Sequence, residues 1–224
     1  TEVHLKDLRE ISAGSLAGLL DLSPDSMQTL AQAAPRLYRE RKESKKSGGV
    51  RLIEAPHENL KKVQRLLLHR ILKNLPVNAG FFGRPGTSAI QAALRHVGKP
   101  MVVTMDIREF FPSVSSKHVS VAFRRRGATA EVARILTRLV TRRGHLPQGA
   151  PTSSCVAALV ASPAVNHIDK ALQSVRGSSL SVYVDDVAIS GPAGLRRMTC
   201  TIAAIFARHC FQVHPNKIRI MPHT

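Results

Sequence analysis

Apolar residues recur along this chain with two different periods, and the switches between them set the order of elements. Leu16, Leu19, Leu20 and Leu22 lead into Ser23-Pro24, a cap and first-turn pair that predicts a helix running towards Arg41. A basic turn, Lys45-Lys46-Ser47-Gly48-Gly49, precedes a strand pattern over 50–55 that Pro56 ends. Leu60, Val63, Leu67, Ile71 and Leu75 then recur every three or four positions, which predicts an amphipathic helix over 59–75 with lysines and arginines on its other side. A glycine-rich loop over 80–86 leads to Thr87-Ser88, the expected cap of a helix ending near His96.

The period then drops to that of strands. Met101-Val102-Val103-Thr104-Met105 is a short apolar run that ends on Asp106. Helices are expected over 116–126 and 129–142, followed by a loop carrying Leu146-Pro147-Gln148-Gly149. A long helix rich in small residues is expected over 151–175, kinked by Pro163. Leu180-Ser181-Val182-Tyr183-Val184 runs into Asp185-Asp186, and Val187-Ala188-Ile189-Ser190 leaves them, which reads as a β-hairpin with two acids at its tip. A helix over 193–209 and a strand-like piece over 211–221, containing Lys217, complete the pattern. No internal repeat or low-complexity linker interrupts it.

Charge changes the picture. The chain of 224 residues carries 33 Lys and Arg against 15 Asp and Glu, a net charge of +18, yet 43% of it is hydrophobic, so the excess sits on a foldable chain. Basic clusters at 36–46, Arg124-Arg125-Arg126, Arg142-Arg143 and Arg196-Arg197 predict a long phosphate-binding surface. Against that background Asp185-Asp186 stands out. Adjacent carboxylates repel each other, and a hard divalent cation such as Mg²⁺ would balance them while also taking substrate phosphates as ligands. A sheet that joins Asp106 to this pair could hold two Mg²⁺ ions for an in-line phosphoryl displacement. Cys155, Cys200 and Cys210 form no paired framework, which fits a reducing, cytoplasmic setting. No apolar run spans a bilayer and no membrane partner is expected.

Met105-Asp106-Ile107-Arg108-Glu109-Phe110-Phe111-Pro112-Ser113, then Leu146-Pro147-Gln148-Gly149-Ala150-Pro151-Thr152-Ser153, then Tyr183-Val184-Asp185-Asp186 resemble reverse transcriptases in order and content. Arg51-Leu52-Ile53-Glu54-Ala55-Pro56 with Leu60-Lys61-Lys62-Val63-Gln64 resembles the fingers motif of bacterial, retron-type enzymes. Two departures stand beside the likeness. Ala92-Ala93-Leu94-Arg95-His96 lacks the asparagine with which retron enzymes often begin that motif, and His214 stands where their last lysine motif usually has an asparagine.

The resemblance implies an α+β fold, the fingers and palm of a right-hand polymerase, with an antiparallel palm sheet backed by helices. Fingers would comprise 1–97 and 118–148, and palm 98–117 and 149–224; the thumb is expected to be absent from this chain, by truncation or a missing C-terminal part, the alternatives being a thumb on another polypeptide or a compact variant. It implies that Asp106, Asp185 and Asp186, with the carbonyl of Ile107, hold two Mg²⁺ ions, Mn²⁺ being the alternative. Phe111 would be the steric gate that selects deoxynucleotides. Arg51, supported by Lys45 or Lys46, would contact the triphosphate. Gln148 and Gly149 would pack on the nascent pair, and Lys217 would protonate the leaving pyrophosphate. The implied activity is RNA-directed DNA polymerisation on a structured non-coding RNA, in anti-phage defence. Implied partners are an RNA template-primer, the DNA product, deoxynucleoside triphosphates and an effector protein or thumb segment. The alternatives are a catalytically silent RNA-binding scaffold and a template-independent polymerase.

Overall fold

The computed structural model describes residues 7–44 and 48–222. In chain order the elements are α1 (Ala13–Leu19), α2 (Pro24–Ala33), β1 (Tyr38–Ser44), β2 (Val50–Pro56), α3 (Glu58–Arg70), β3 (Phe81–Phe82), α4 (Ala89–Leu94), β4 (Met101–Asp106), α5 (Phe110–Ser113), α6 (Ser116–Arg125), α7 (Ala130–Val140), α8 (Ser153–Leu172), β5 (Ser179–Tyr183), β6 (Asp186–Gly191), α9 (Met198–Arg208) and β7 (Arg219–Pro222). The chain divides into two compact units, one made of the described residues up to Pro76 with Val114–Val160, the other of Val77–Ser113 with the residues from Ala161 onward. Among the described residues no helix is long and apolar enough to cross a membrane.

The first unit is a helical cluster with a two-stranded arm. Side-chain caps start its helices: Ser12 and Ser15 form a reciprocal box on α1, Ser23 caps α2 ahead of Pro24, and Thr129 caps α7. Helix α7 lies against α1, α2, α3 and α6, and buries Val132, Ala133, Ile135, Leu136, Leu139 and Val140. The helix expected to reach Arg41 stops earlier. Pro35 supplies no N–H to the preceding turn, the chain tightens into a single 3₁₀ turn over Ala34–Arg36, and Tyr38–Ser44 goes extended instead. There β1 pairs antiparallel with β2, from Tyr38 opposite Pro56 to Ser44 opposite Val50. A strand partner outweighs the local helix pattern.

The second unit is built on a five-stranded sheet in the order β3-β5-β6-β4-β7. All pairings are antiparallel except the short β3–β5 edge, which is parallel. Alternation gives the sheet two unlike faces. Met101, Val103, Met105, Leu180, Val182, Val187 and Ile189 are buried on one side, and Val165, Ile168 and Leu172 of α8 with Ile202, Ile205 and Phe206 of α9 are buried in the same unit. The other side carries Val102, Thr104 and Asp106 on β4, Ser179 and Ser181 on β5, and Asp186, Ala188 and Ser190 on β6. Residues 80–86, expected as loop throughout, include β3, because Phe81 and Phe82 are buried and pair with Val182 and Tyr183.

Candidate active site

The register of two strands assembles the acidic cluster. Strand β4 ends with Asp106 directly opposite Asp186, the first residue of β6. Directly opposite residues project to the same face, so two like charges are set side by side, which costs stability. Asp185 precedes Asp186 in a two-residue turn, Val184-Asp185, that joins the paired residues Tyr183 and Asp186. The carbonyl of Asp185 accepts a 2.9 Å hydrogen bond from the Ile107 N–H, which ties the turn to the end of β4. Val184 sits at φ 59, a left-handed conformation that a β-branched residue rarely adopts. Gly83 accommodates it, since a Cβ there would lie 2.8 Å from Val184 Cγ2.

Lys217 completes the cluster. The segment before it runs along the end of β4: Arg108 N–H donates to the Gln212 carbonyl at 2.7 Å, and His214 N–H donates to the Asp106 carbonyl at 2.8 Å. That pairing delivers the Lys217 ammonium to Asp106, Nζ to Oδ2 at 2.8 Å. The hydrogen bond to Asp106 raises the Lys217 pKa above its ordinary value, and the charges of all three acids add to it. Asp185 is raised above the usual carboxylate range by burial first, then by the charges of Asp186 and Asp106. Partial burial of the Asp186 carboxyl, then the charge of Asp106, raises Asp186 as well. One lysine therefore leaves these acids short of positive charge.

Among the described residues no group of three His, Cys, Asp or Glu side chains already stands as a metal-binding cluster. The donor chemistry nonetheless fits a hard divalent cation: the ligating atoms are all oxygens, and repulsion with burial disfavours the ionised acids until a cation arrives.

Phe111 lies in the same unit, half-buried in α5, its ring 5.6 Å from that of Phe110. Phe110 is buried and packs at 5.7 Å on Phe211. Arg51, Gln148 and Gly149 belong to the first unit. Arg51 is exposed on β2 and held by Glu43 across the arm, Nε to Oε2 at 3.2 Å and Nη2 to Oε2 at 3.1 Å. The Gln148 carbonyl accepts from the Glu54 N–H at 2.7 Å. Gly149, at φ 124, lies so close to β2 that a Cβ would stand 2.9 Å from Ile53 Cγ2. Lys45 and Lys46 lie outside the described residues.

Two groups of residues escaped the sequence reading. Under β2, buried Glu54 accepts from Arg142 Nη1 at 2.6 Å and lies 2.9 Å from His145 Nε2. Arg142 Nη2 donates to Glu40 at 2.6 Å, and Arg143 joins it at 2.8 Å. Arg142 and His145 exchange backbone hydrogen bonds across Arg143 and Gly144, both at positive φ, so a tight turn aims both side chains at one carboxylate. The second group is His96 with Ser181 and Ser190 in the other unit. The only sequence signals were Arg142-Arg143, read as surface charge, and His96, read as the end of a motif.

A family model described as reverse transcriptase (RNA-dependent DNA polymerase) matches residues 42–224. The retron Mx65 reverse transcriptase of Myxococcus xanthus is 32% identical over 202 residues, covering 79% of this chain and 46% of that protein. The retron Mx162 reverse transcriptase of the same organism is 30% identical over 210 residues, covering 79% and 42%. The retron Ec86 reverse transcriptase of Escherichia coli is 30% identical over 179 residues, covering 75% and 53%. The chain spans about half the length of these curated relatives.

Proposed function

We propose that this chain, which belongs to the reverse transcriptase family, carries the fingers and palm of a retron-type RNA-directed DNA polymerase. The observation that carries the reading is the cluster itself: Asp106 opposite Asp186, Asp185 tied to Ile107, and Lys217 on Asp106. In the reaction a primer hydroxyl attacks the α-phosphorus of a deoxynucleoside triphosphate. A new P–O bond forms, the bond to the β-phosphate bridge breaks, and pyrophosphate leaves.

Reverse transcriptases generally use divalent metals, and two Mg²⁺ ions (or Mn²⁺) bound here would supply positive charge to the attacking and leaving oxygens. Asp106, Asp185 and Asp186 hold them, with the Ile107 carbonyl as a further ligand. Lys217, charged and already at the cluster, gives a proton to the departing pyrophosphate. Phe111 excludes a 2′-hydroxyl by bulk. Arg51, with Lys45 or Lys46, takes triphosphate oxygens, and Gln148 and Gly149 contact the nascent pair. The excess of Lys and Arg favours binding of an RNA template-primer and the DNA product. A structured non-coding RNA as template, an effector or thumb partner, a cytoplasmic setting and a part in anti-phage defence complete the reading.

The test is primer extension on an RNA template with Mg²⁺ and deoxynucleotides, wild type against Asp185→Asn. Template-directed DNA product that disappears in the variant is expected. Tight RNA binding with no incorporation by either protein, under any condition that supports binding, would leave a scaffold as the better description, and equal incorporation by both would remove Asp185 from the reaction.

A further inference from the structure

We propose that His96 is a positioning residue that fixes the register of the acid-bearing hairpin by bridging two buried serines on its neighbouring strands. The inference rests on the polymerase reading for its catalytic consequence but not for its geometry. His96 follows α4, one residue past the helix's last turn, and its ring reaches the polar face of the sheet. Nδ1 lies 2.7 Å from the Ser190 hydroxyl on β6, and Nε2 lies 2.7 Å from the Ser181 hydroxyl on β5. Both serines are buried, Ser190 completely. Burial, then the charges of Arg95 and Lys99, pushes the imidazole below its ordinary pKa, which favours the neutral ring. A neutral imidazole donates from one nitrogen and accepts at the other, so it satisfies one serine as acceptor and the other as donor.

The register shows what the bridge accomplishes. Ser179 pairs with Ser190 and Ser181 with Ala188, so Ser181 and Ser190 face each other diagonally across the hairpin. Ser190, Ala188 and Asp186 alternate along one face of β6, so the serine held by His96 and the acid at the tip share that face. A one-residue slip of β5 would turn Ser181 to the opposite face, and one of β6 would turn Ser190 away and also move Asp186 from its place opposite Asp106. Serines and an alanine offer this face little packing with which to resist a slip, and buried hydroxyls without partners would be costly.

Arg95 reinforces the same attachment. Its guanidinium donates to the carbonyls of Leu180, at 3.1 Å, and Ala79, at 2.9 Å, and lies 5.1 Å from the Phe82 ring centroid. The two consecutive side chains thus hold the start of β5, the middle of the hairpin and the β3 edge. Helix α4 buries only Ala92 and leaves Ile90 and Leu94 exposed, so polar contacts rather than apolar packing keep it in place.

The test compares wild type with His96→Phe, which keeps an aromatic ring but makes neither hydrogen bond, and with Ser181→Ala and Ser190→Ala, each of which removes one. Amide hydrogen exchange reads the hairpin without needing metal or activity. Exchange at residues 183–187 should rise about tenfold in His96→Phe, and less in each serine variant, with β2 and α7 unchanged. Where wild type incorporates nucleotides, kcat should fall about tenfold or more with the KM for deoxynucleotide unchanged. Ser181→Thr, which keeps the hydroxyl, should restore both readouts relative to Ser181→Ala. Unchanged protection at the hairpin tip in His96→Phe overturns the proposal, as does a uniform rise over the whole second unit. Wild type that incorporates nothing sinks the polymerase reading alone, and the exchange result still decides the role of His96.

Discussion

The two units treat their carboxylates in opposite ways. In the first, Glu54 is buried and fully answered: Arg142 and His145 take one oxygen each, and the same guanidinium reaches Glu40. Arg142 holds the Glu40 carboxyl below its ordinary range, chiefly by hydrogen bonding. In the second, three acids share one lysine, and Asp185 and Asp186 are raised rather than lowered. An acid used to fasten a loop is matched before any ligand arrives. The acids at the hairpin tip are left short of positive charge, and the fold absorbs the repulsion. Hydrogen bonding to a guanidinium lowers Glu40, and burial among like charges raises Asp185 and Asp186, although both kinds lie among basic residues.

The largest effect should come from breaking the matched set. Arg142→Met strands Glu54 without its main partner, and urea unfolding should show a loss of about 3–5 kcal/mol. A loss under about 1 kcal/mol would mean that the network does not fasten β2. Next, Asp185→Asn should lower nucleotide incorporation about 10²–10³-fold without lowering the melting temperature. Mg²⁺ should raise the melting temperature of wild type by mass action and leave that of the variant nearly unchanged.

Two glycines sharpen the contrast at smaller cost. Gly149→Ala meets Ile53 and the Glu54 carbonyl, and Gly83→Ala meets Val184; each also strains a positive φ, at about 1–3 kcal/mol by chemical denaturation. Only Gly83→Ala should also shift the exchange pattern of the acid-bearing turn, which amide exchange can read directly.

The smallest effects concern pH, and the two units should differ in sign. Glu40 has its pKa lowered by folding, so its contribution is present above its ordinary 4.5 and is lost as pH falls through the lower, folded value. Asp185 has its pKa raised, so its ionised form opposes folding above the raised value, and that opposition fades as pH falls towards 3.8. Accordingly, Asp185→Asn should stabilise the protein at neutral pH in metal-free buffer, and the gain should shrink on acidification. A gain that grows as pH falls would reverse the assignment.

Much of this was legible in the chain because the signals are local. The apolar run ending on Asp106, and the pair Asp185-Asp186 between two short apolar runs, place the acids at a strand end and a hairpin tip by local pattern alone. Helices α6, α7 and α8 carry caps or periods within their own windows. The extended course of Tyr38–Ser44 was hidden because its partner strand, not its own pattern, decides it. The Glu54 network was hidden for a stronger reason. Arg142 lies 88 residues from Glu54 and His145 lies 91 away, and nothing local marks either as a partner. His96 is the intermediate case: a motif drew attention to the residue, but only the diagonal of Ser181 and Ser190 says what the ring is for.

The strand order β3-β5-β6-β4-β7 bears on how the chain emerges from the ribosome. Strand β4 is made early, yet its neighbours β6 and β7 begin only at Asp186 and Arg219. Throughout that interval Met101, Val103 and Met105 have no sheet to enter, while the first unit has all its residues once Val160 is made. Folding during synthesis would then complete the helical unit first and the acid-bearing sheet last. The apolar stretch that ends on Asp106 would be the segment most in need of protection from wrong pairings while translation continues.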